Sequence, residues 1–335
     1  MPFPATPKGE DESLFRIDDP FGLRRAIIPL FSMDRETHLV TGLGTAFRVD
    51  PFGTYLTAHH VLECSETGQF FTSSQLGTVF GLFNPGLVLG CPPIPKDCFV
   101  FVSEIDTFRG EYTSPLIHVG KKSINAFDCT KLLFDPKSLR VRKHKEFLPL
   151  QLSGKRPQIG DRVMAIGYAG VMDVKNQTSE KTISFTEGLH GAVGEVTNIF
   201  PAGRDSTKPW PTFEVSCKWP GGMSGGPVFN EEGHIIGMVS YSLYDSLTKE
   251  MGVGYTFWFQ PLPVFRRWLP YVDTDNAGLI RGWGVIRTQG TWHLAGIYWA
   301  KEQAEEVRKQ LGSDYEVRFG SHRPGTDDFI SIELS

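Results

Sequence analysis

Gly221-Gly222-Met223-Ser224-Gly225-Gly226-Pro227 is the stretch whose reading decides the fold. A strand-like run over 212–217 leads into it, and Val228-Phe229-Asn230 leads out to the turn Glu231-Glu232-Gly233. Glycines on both sides of a lone serine let the backbone bend sharply and bring main-chain N–H groups close to whatever the serine touches. An acyl-transfer nucleophile needs that geometry. Because a serine hydroxyl is a weak nucleophile alone, the role also requires a histidine base, a carboxylate to orient it, and paired N–H donors for an oxyanion.

The histidine is upstream. Residues 42–50 alternate as a strand, Pro51-Phe52-Gly53 turns, and 55–62 return as the second arm of a hairpin ending in His59 and His60. Strand alternation sends those two side chains in opposite directions, so only one of them faces the serine. A carboxylate follows at Asp128, inside Ala126-Phe127-Asp128-Cys129-Thr130-Lys131-Leu132-Leu133-Phe134, where apolar neighbours would bury it; Asp106 and Asp135 compete for the role. The order His, Asp, Ser is that of chymotrypsin-type enzymes rather than of subtilisins or α/β-hydrolases.

Thr57-Ala58-His59-His60-Val61 resembles the Thr-Ala-x-His segment of trypsin-like serine peptidases, and Gly222-Met223-Ser224-Gly225-Gly226-Pro227 resembles their Gly-x-Ser-Gly-Gly-Pro. Further matches, to the high-temperature-requirement (HtrA) branch, are the hairpin over 44–56, the run Ile159-Gly160-Asp161-Arg162-Val163-Met164-Ala165-Ile166-Gly167-Tyr168, and the runs 233–239 and 252–255. Together they cover about residues 25–272. The resemblance implies a mostly β, chymotrypsin-like double β-barrel and a catalytic triad of His60, Asp128 and Ser224. It selects His60, the fourth residue of the motif, over His59. It also implies an oxyanion hole from the N–H groups of Gly222 and Ser224, and a substrate pocket walled by Lys218, Trp219, Pro220, Gly221, Ser240, Tyr241 and Ser242.

Two departures from the digestive members of the family matter. Met223 stands where they keep the aspartate that pairs with a new N-terminus, so control passes to loops or assembly. Lys218 stands six before the serine, where trypsins keep an aspartate, which disfavours cleavage after Arg or Lys and points to small or medium apolar side chains, or to acidic ones if the Lys218 amine faces inward. At the carboxylate, Thr130 replaces the alanine of the family's Asp-x-Ala-x-Leu, while Leu132 matches it.

At 335 residues the chain is ample for a sizeable core, and 36 glycines, 23 prolines and 25 phenylalanines suit a turn-rich β protein. The net charge of −4, from 34 basic and 38 acidic residues, gives no reason to expect nucleic acid or an anionic membrane as partner. No apolar run follows a basic region at the start, so neither a signal peptide nor a membrane span is expected, and the cytoplasm is the default location. Five cysteines, Cys64, Cys91, Cys98, Cys129 and Cys217, lack zinc-site spacing and are expected as reduced thiols. No metal or cofactor is expected.

The domain reading has three parts: an N-terminal arm over 1–24, a protease domain over 25–272, and a small α+β unit over 273–335. The arm reads as a solvated tail, with Phe15 and Phe21 offering a second reading as an oligomerisation element, as in HtrA-like trimers. The first barrel strands are expected over 25–31 and 39–49. Residues 69–102 read as barrel wall with long loops, 137–145 as a solvated cationic loop, and 170–186 and 201–211 as polar loops that set specificity or regulation. A short helix is expected over 265–270. In the last unit, 282–287 and 292–299 read as strands, 300–311 as a helix with Ala304, Val307 and Leu311 on one face, and 315–319 and 329–332 as strands. A PDZ carboxylate-binding loop is absent from it. The functional reading is an intracellular serine endopeptidase acting on a protein or peptide substrate, regulated by loop conformation, self-assembly or a protein partner. A catalytically silent binding module and a self-processing enzyme or esterase are the alternatives.

Overall fold

The structure is a computed structural model, and it describes residues 14–17, 23–49, 54–63, 70–71, 78–83, 98–112, 122–134, 152–153, 155–171, 174–177, 182–184, 188–205, 208–243, 252–259, 273–274, 280–298, 301–322 and 327–331. The expectations for 137–145 and 265–270, for Asp135, Phe21, Cys64 and Cys91, and for most of 69–102 lie outside these residues.

A short strand, β1 (Leu14–Arg16), comes first. Six strands then close into a barrel in the order β2-β3-β4-β7-β6-β5: β2 (Ile27–Met33), β3 (Val40–Arg48), β4 (Thr54–Thr57), β5 (Val79–Leu82), β6 (Phe99–Tyr112) and β7 (Lys122–Phe134). Large rings fill its interior. Tyr55, Phe83 and Phe134 meet edge to face with centroids 5.1–5.7 Å apart, an arrangement worth about 0.5–1.5 kcal/mol per pair beyond area burial.

The second barrel follows: β8 (Arg162–Tyr168), a small hairpin of β9 (Lys175–Gln177) and β10 (Thr182–Ser184), β11 (Leu189–Phe200), β12 (Thr212–Val215), β13 (Pro227–Asn230), β14 (Ile235–Leu243) and β15 (Val253–Trp258). The ladder β11-β12-β15-β14-β13-β8 returns to β11, so six antiparallel strands close a second ring, and barrel closure leaves few free edges. Its interior combines Val163, Ala165, Ala192, Val196, Val215, Val228, Ile236 and Val239 with the large side chains of Phe213, Trp219 and Trp258. One apolar cluster runs from the first barrel into Met164, Ile166, Leu189, Val193, Met238 and Phe257 of the second, so the two are packed together.

Two stretches differ from the sequence expectation. Part of the expected arm is structured: β1 pairs with β11, and Phe15 lies against Gly191, where even a Cβ would come within 2.5 Å of its ring. A three-residue strand carries too little periodicity to be read from sequence. The expected loop over 170–186 contains the β9–β10 hairpin.

The C-terminal unit has β16 (Asp273–Thr274), β17 (Ile280–Arg287), β18 (His293–Tyr298), helix α1 (Lys301–Leu311), β19 (Glu316–His322) and β20 (Ile330–Ser331). Ala304, Val307 and Leu311, spaced for one helical face, are buried against Val285, Ala295, Tyr298 and Tyr315. This core is separate from those of the barrels.

Candidate active site

Strand β4 ends at Thr57, and Ala58, extended at φ −67° and ψ 142°, starts a one-turn 3-10 helix over His59–Leu62. The two histidines therefore sit on a helical turn rather than on the strand end anticipated. Their side chains still part, because successive residues of a 3-10 turn lie about 120° apart. His59 is buried, stacked on Phe70 at 4.5 Å, and its Nδ1 lies 3.0 Å from Thr130 Oγ1. The His60 side chain is 40% exposed, and its Nδ1 lies 3.0 Å from each carboxylate oxygen of Asp128.

Asp128 is on β7, the strand that pairs with β4, and is only 3% exposed. A carboxylate in such a place must be fully hydrogen-bonded to remain charged. It accepts from the His60 main-chain N–H at 3.2 Å, and Ser240 Oγ from β14 donates to its second oxygen. Burial pushes the Asp128 carboxyl upward, but the His60 charge and these hydrogen bonds outweigh it and hold the group far below the usual carboxylate range. For His60, burial works against the charged form, yet the Asp128 charge and hydrogen bond prevail and its pKa is raised above the ordinary value. An imidazole held at Nδ1 in this way presents Nε2 as a base. The competitor Asp106 is exposed on β6.

Ser224 lies on the turn between β12 and β13. Gly222 has φ +95° and occupies the third place of a turn closed by Met223 N–H to Pro220 C=O at 3.2 Å, which only glycine accepts without strain. Gly225 has φ +85°, and a Cβ there would come within 2.1 Å of the Thr45 carbonyl oxygen. The Ser224 hydroxyl donates to the Ser240 main-chain carbonyl at 3.2 Å; a hydrogen bond to His60 is not among those formed by the described residues. The N–H groups of Gly222 and Ser224 donate to no acceptor among the described residues. The Gly221 carbonyl accepts from Gly170 N–H at 3.2 Å, so the planar peptide turns the Gly222 N–H the opposite way.

Thr45, on β3, has all its polar groups engaged, two of them with this turn. Its N–H donates to Ser224 C=O at 2.8 Å and its carbonyl accepts from Thr57 Oγ1 at 2.7 Å. Its hydroxyl donates to Gly222 C=O at 2.7 Å and accepts from Tyr168 N–H at 3.0 Å. Sequence reasoning passed over Thr45, because its partners are 123 and 177 residues away. It also placed Ser240 in the pocket wall, whereas the Ser240 side chain is fully buried on Asp128.

The other residues of the expected wall are placed as follows. Ser242 Oγ donates to the Trp219 carbonyl at 2.8 Å and links the two segments. The Trp219 indole is buried over Gly254, where a Cβ would sit 2.8 Å from the ring, and the Lys218 stem lies against Gly252. Pro220 and Tyr241 are half-buried, Gly221 is exposed, and Met223 is fully buried. Among the described residues there is no group of His, Cys, Asp and Glu suited to a metal ion, and no helix long and apolar enough to cross a membrane.

A family model for the trypsin-like peptidase domain matches residues 44–238. The chain belongs to this family. As a trypsin-like peptidase it is a serine endopeptidase, a hydrolase of protein or peptide substrates. No curated protein matches it in sequence. Solved structures that resemble this trypsin-like peptidase include the Rv3671c protease of M. tuberculosis in its active form, at 14% identity and a TM-score of 0.43 over 83% of this chain and 97% of that one. The inactive form of that protease aligns at 15% identity and a TM-score of 0.38 over 70% of this chain and 84% of that one.

Proposed function

We propose that His60, Asp128 and Ser224 are the catalytic triad of this peptidase, with the N–H groups of Gly222 and Ser224 as oxyanion donors. The observation that carries this reading is the buried Asp128 carboxylate against His60 Nδ1, beside a serine on a glycine-flanked turn. In the mechanism, the Ser224 hydroxyl rotates from the Ser240 carbonyl to His60 Nε2, gives up its proton there and attacks the scissile carbonyl. Asp128 fixes the imidazole tautomer and stabilises the cation. The tetrahedral oxyanion is held by the two main-chain donors, one such donor being worth about 10²–10³ in rate. His60 returns the proton to the leaving amine, and water then hydrolyses the acyl-enzyme by the same route in reverse.

The position nearest the scissile bond is read as small, since the Trp219 indole is packed closely over Gly254, the residue paired with Ser242. Residues 25–272 are the proteolytic domain on this reading, and 273–335 a separate module with its own core around α1. The buried free thiols of Cys98, Cys129 and Cys217 support an intracellular setting.

The test is labelling by a fluorophosphonate probe, which reacts only with an activated serine. Wild type is expected to gain one adduct on Ser224, and Ser224→Ala none. Wild type that stays unlabelled while folded overturns the proposal in favour of a silent binding module.

A further inference from the structure

The second barrel carries a cationic cluster beside the nucleophile that bond cleavage itself does not use. Between β11 and β12 the chain turns through 201–211, with Arg204 N–H bonded to Lys208 C=O at 3.1 Å. Both cations meet a pair of stacked rings: Tyr241 on β14 lies opposite Tyr255 on β15, centroids 4.6 Å apart and planes at 16°. The Arg204 guanidinium sits 4.6 Å from the Tyr255 centroid and donates to Tyr241 Oη at 2.9 Å, with Asp205 at 3.7 Å from its Nε. Arg204 is thus committed to holding Tyr241.

Lys208 is placed differently. Its ammonium stands 4.1 Å from the Tyr241 centroid and 5.5 Å from that of Trp210, and no acceptor among the described residues takes its three protons. Glu214, on β12, is occupied by Tyr255 Oη at 3.0 Å and Thr197 Oγ1 at 2.7 Å. An ammonium held over aromatic faces with its donors unspent suits an anionic side chain better than water alone. Tyr241 directly follows Ser240, whose carbonyl receives the Ser224 hydroxyl, so the cluster borders the reacting centre. The Lys208 charge is also near enough to His60 to oppose its protonation.

We propose that Lys208, supported by Arg204 and Tyr241, is a subsite for an acidic side chain, Asp or Glu, of the peptide substrate. This inference rests on the serine endopeptidase reading above. The acid is expected at one fixed position of the extended substrate, on the stretch that passes Tyr241, because a strand presents each side chain at a set advance of about 3.3 Å per residue. A partly exposed pair of this kind is worth about two- to fivefold in kcat/KM between matched acidic and neutral peptides.

The experiment digests a proteome-derived peptide library with the full chain, reads the cleavage sites by mass spectrometry, and then measures kcat/KM on matched Glu and Gln peptides. Wild type is expected to favour the acid at one position, Lys208→Arg to retain the preference, Lys208→Met to bring the Glu/Gln ratio to about one, and Lys208→Glu to invert it. Wild type that labels at Ser224 yet cleaves without an acidic preference, or a preference that survives in Lys208→Met, overturns the subsite and leaves the peptidase reading intact. Wild type that neither labels nor cleaves overturns both.

Discussion

The two barrels hold their shares of the candidate site by different means. The first keeps His60 on the 3-10 turn that follows β4 and Asp128 on β7, the strand paired with β4, over an interior of interlocked aromatic rings, and the pair is held mostly by that barrel's own atoms. The second carries Ser224 on a turn whose contacts come from both barrels: Thr45 of β3 binds Ser224 and Gly222, while within the second barrel the Gly170 N–H binds Gly221 and the Gly225 N–H donates to Val239 C=O at 2.8 Å. Trade across the boundary also runs the other way, through Ser240 of β14 to Asp128. A rigid sheet can position a base and its carboxylate, but main-chain donors on a turn need outside partners to be aimed.

The largest way to break this comparison is Asp128→Asn. Losing the carboxylate while keeping the shape is expected to lower kcat by about 10⁴, as in a characterised serine protease where the histidine takes the wrong tautomer, measured by steady-state kinetics on a cleaved peptide. A kcat within tenfold of wild type would mean that the first barrel does not supply the orienting group.

Next is Thr45→Val, which preserves volume but leaves Gly222 C=O and Tyr168 N–H without a partner. A loss of about 1–3 kcal/mol in stability is expected from denaturant unfolding, and a fall in kcat of about 10² if the oxyanion donors shift. An equal loss of stability with unchanged kcat would show the turn to be aimed by the second barrel alone.

The smallest effect is on pH. The base must be neutral to act, and the His60 pKa is raised by Asp128 against the opposing effect of burial, so the acid limb of kcat/KM is expected above the ordinary histidine value of 6.5. The same shift favours the folded state below the unfolded-state pKa, and that contribution fades as pH rises through the folded value. In Asp128→Asn the limb should move down, since the main charge opposing burial is then gone. A limb that stays in place would assign it to another group.

Much of this was legible because local signals carried it. Gly-x-Ser-Gly-Gly-Pro specified positive φ at Gly222 and Gly225, the buried run around Asp128 matched a barrel strand, and period-3.6 spacing marked α1. What escaped reading depends on partners far apart in sequence. Thr45 looked like one more strand residue, Ser240 like pocket wall and Lys208 like loop charge, and only closure of the second barrel gives each its neighbour. The strand β1 escaped for the opposite reason, being too short to show a period.

The split of the site between two barrels also bears on synthesis. Asp128 and Ser240 are 112 residues apart, and Thr45 and Gly222 are 177. At ribosomal rates of about 5–20 residues per second, the base and its carboxylate emerge on the order of ten seconds before the nucleophile's turn. During that interval the growing chain holds half an active site and cannot cleave itself or its neighbours, so the division of labour between barrels is also a delay built into translation.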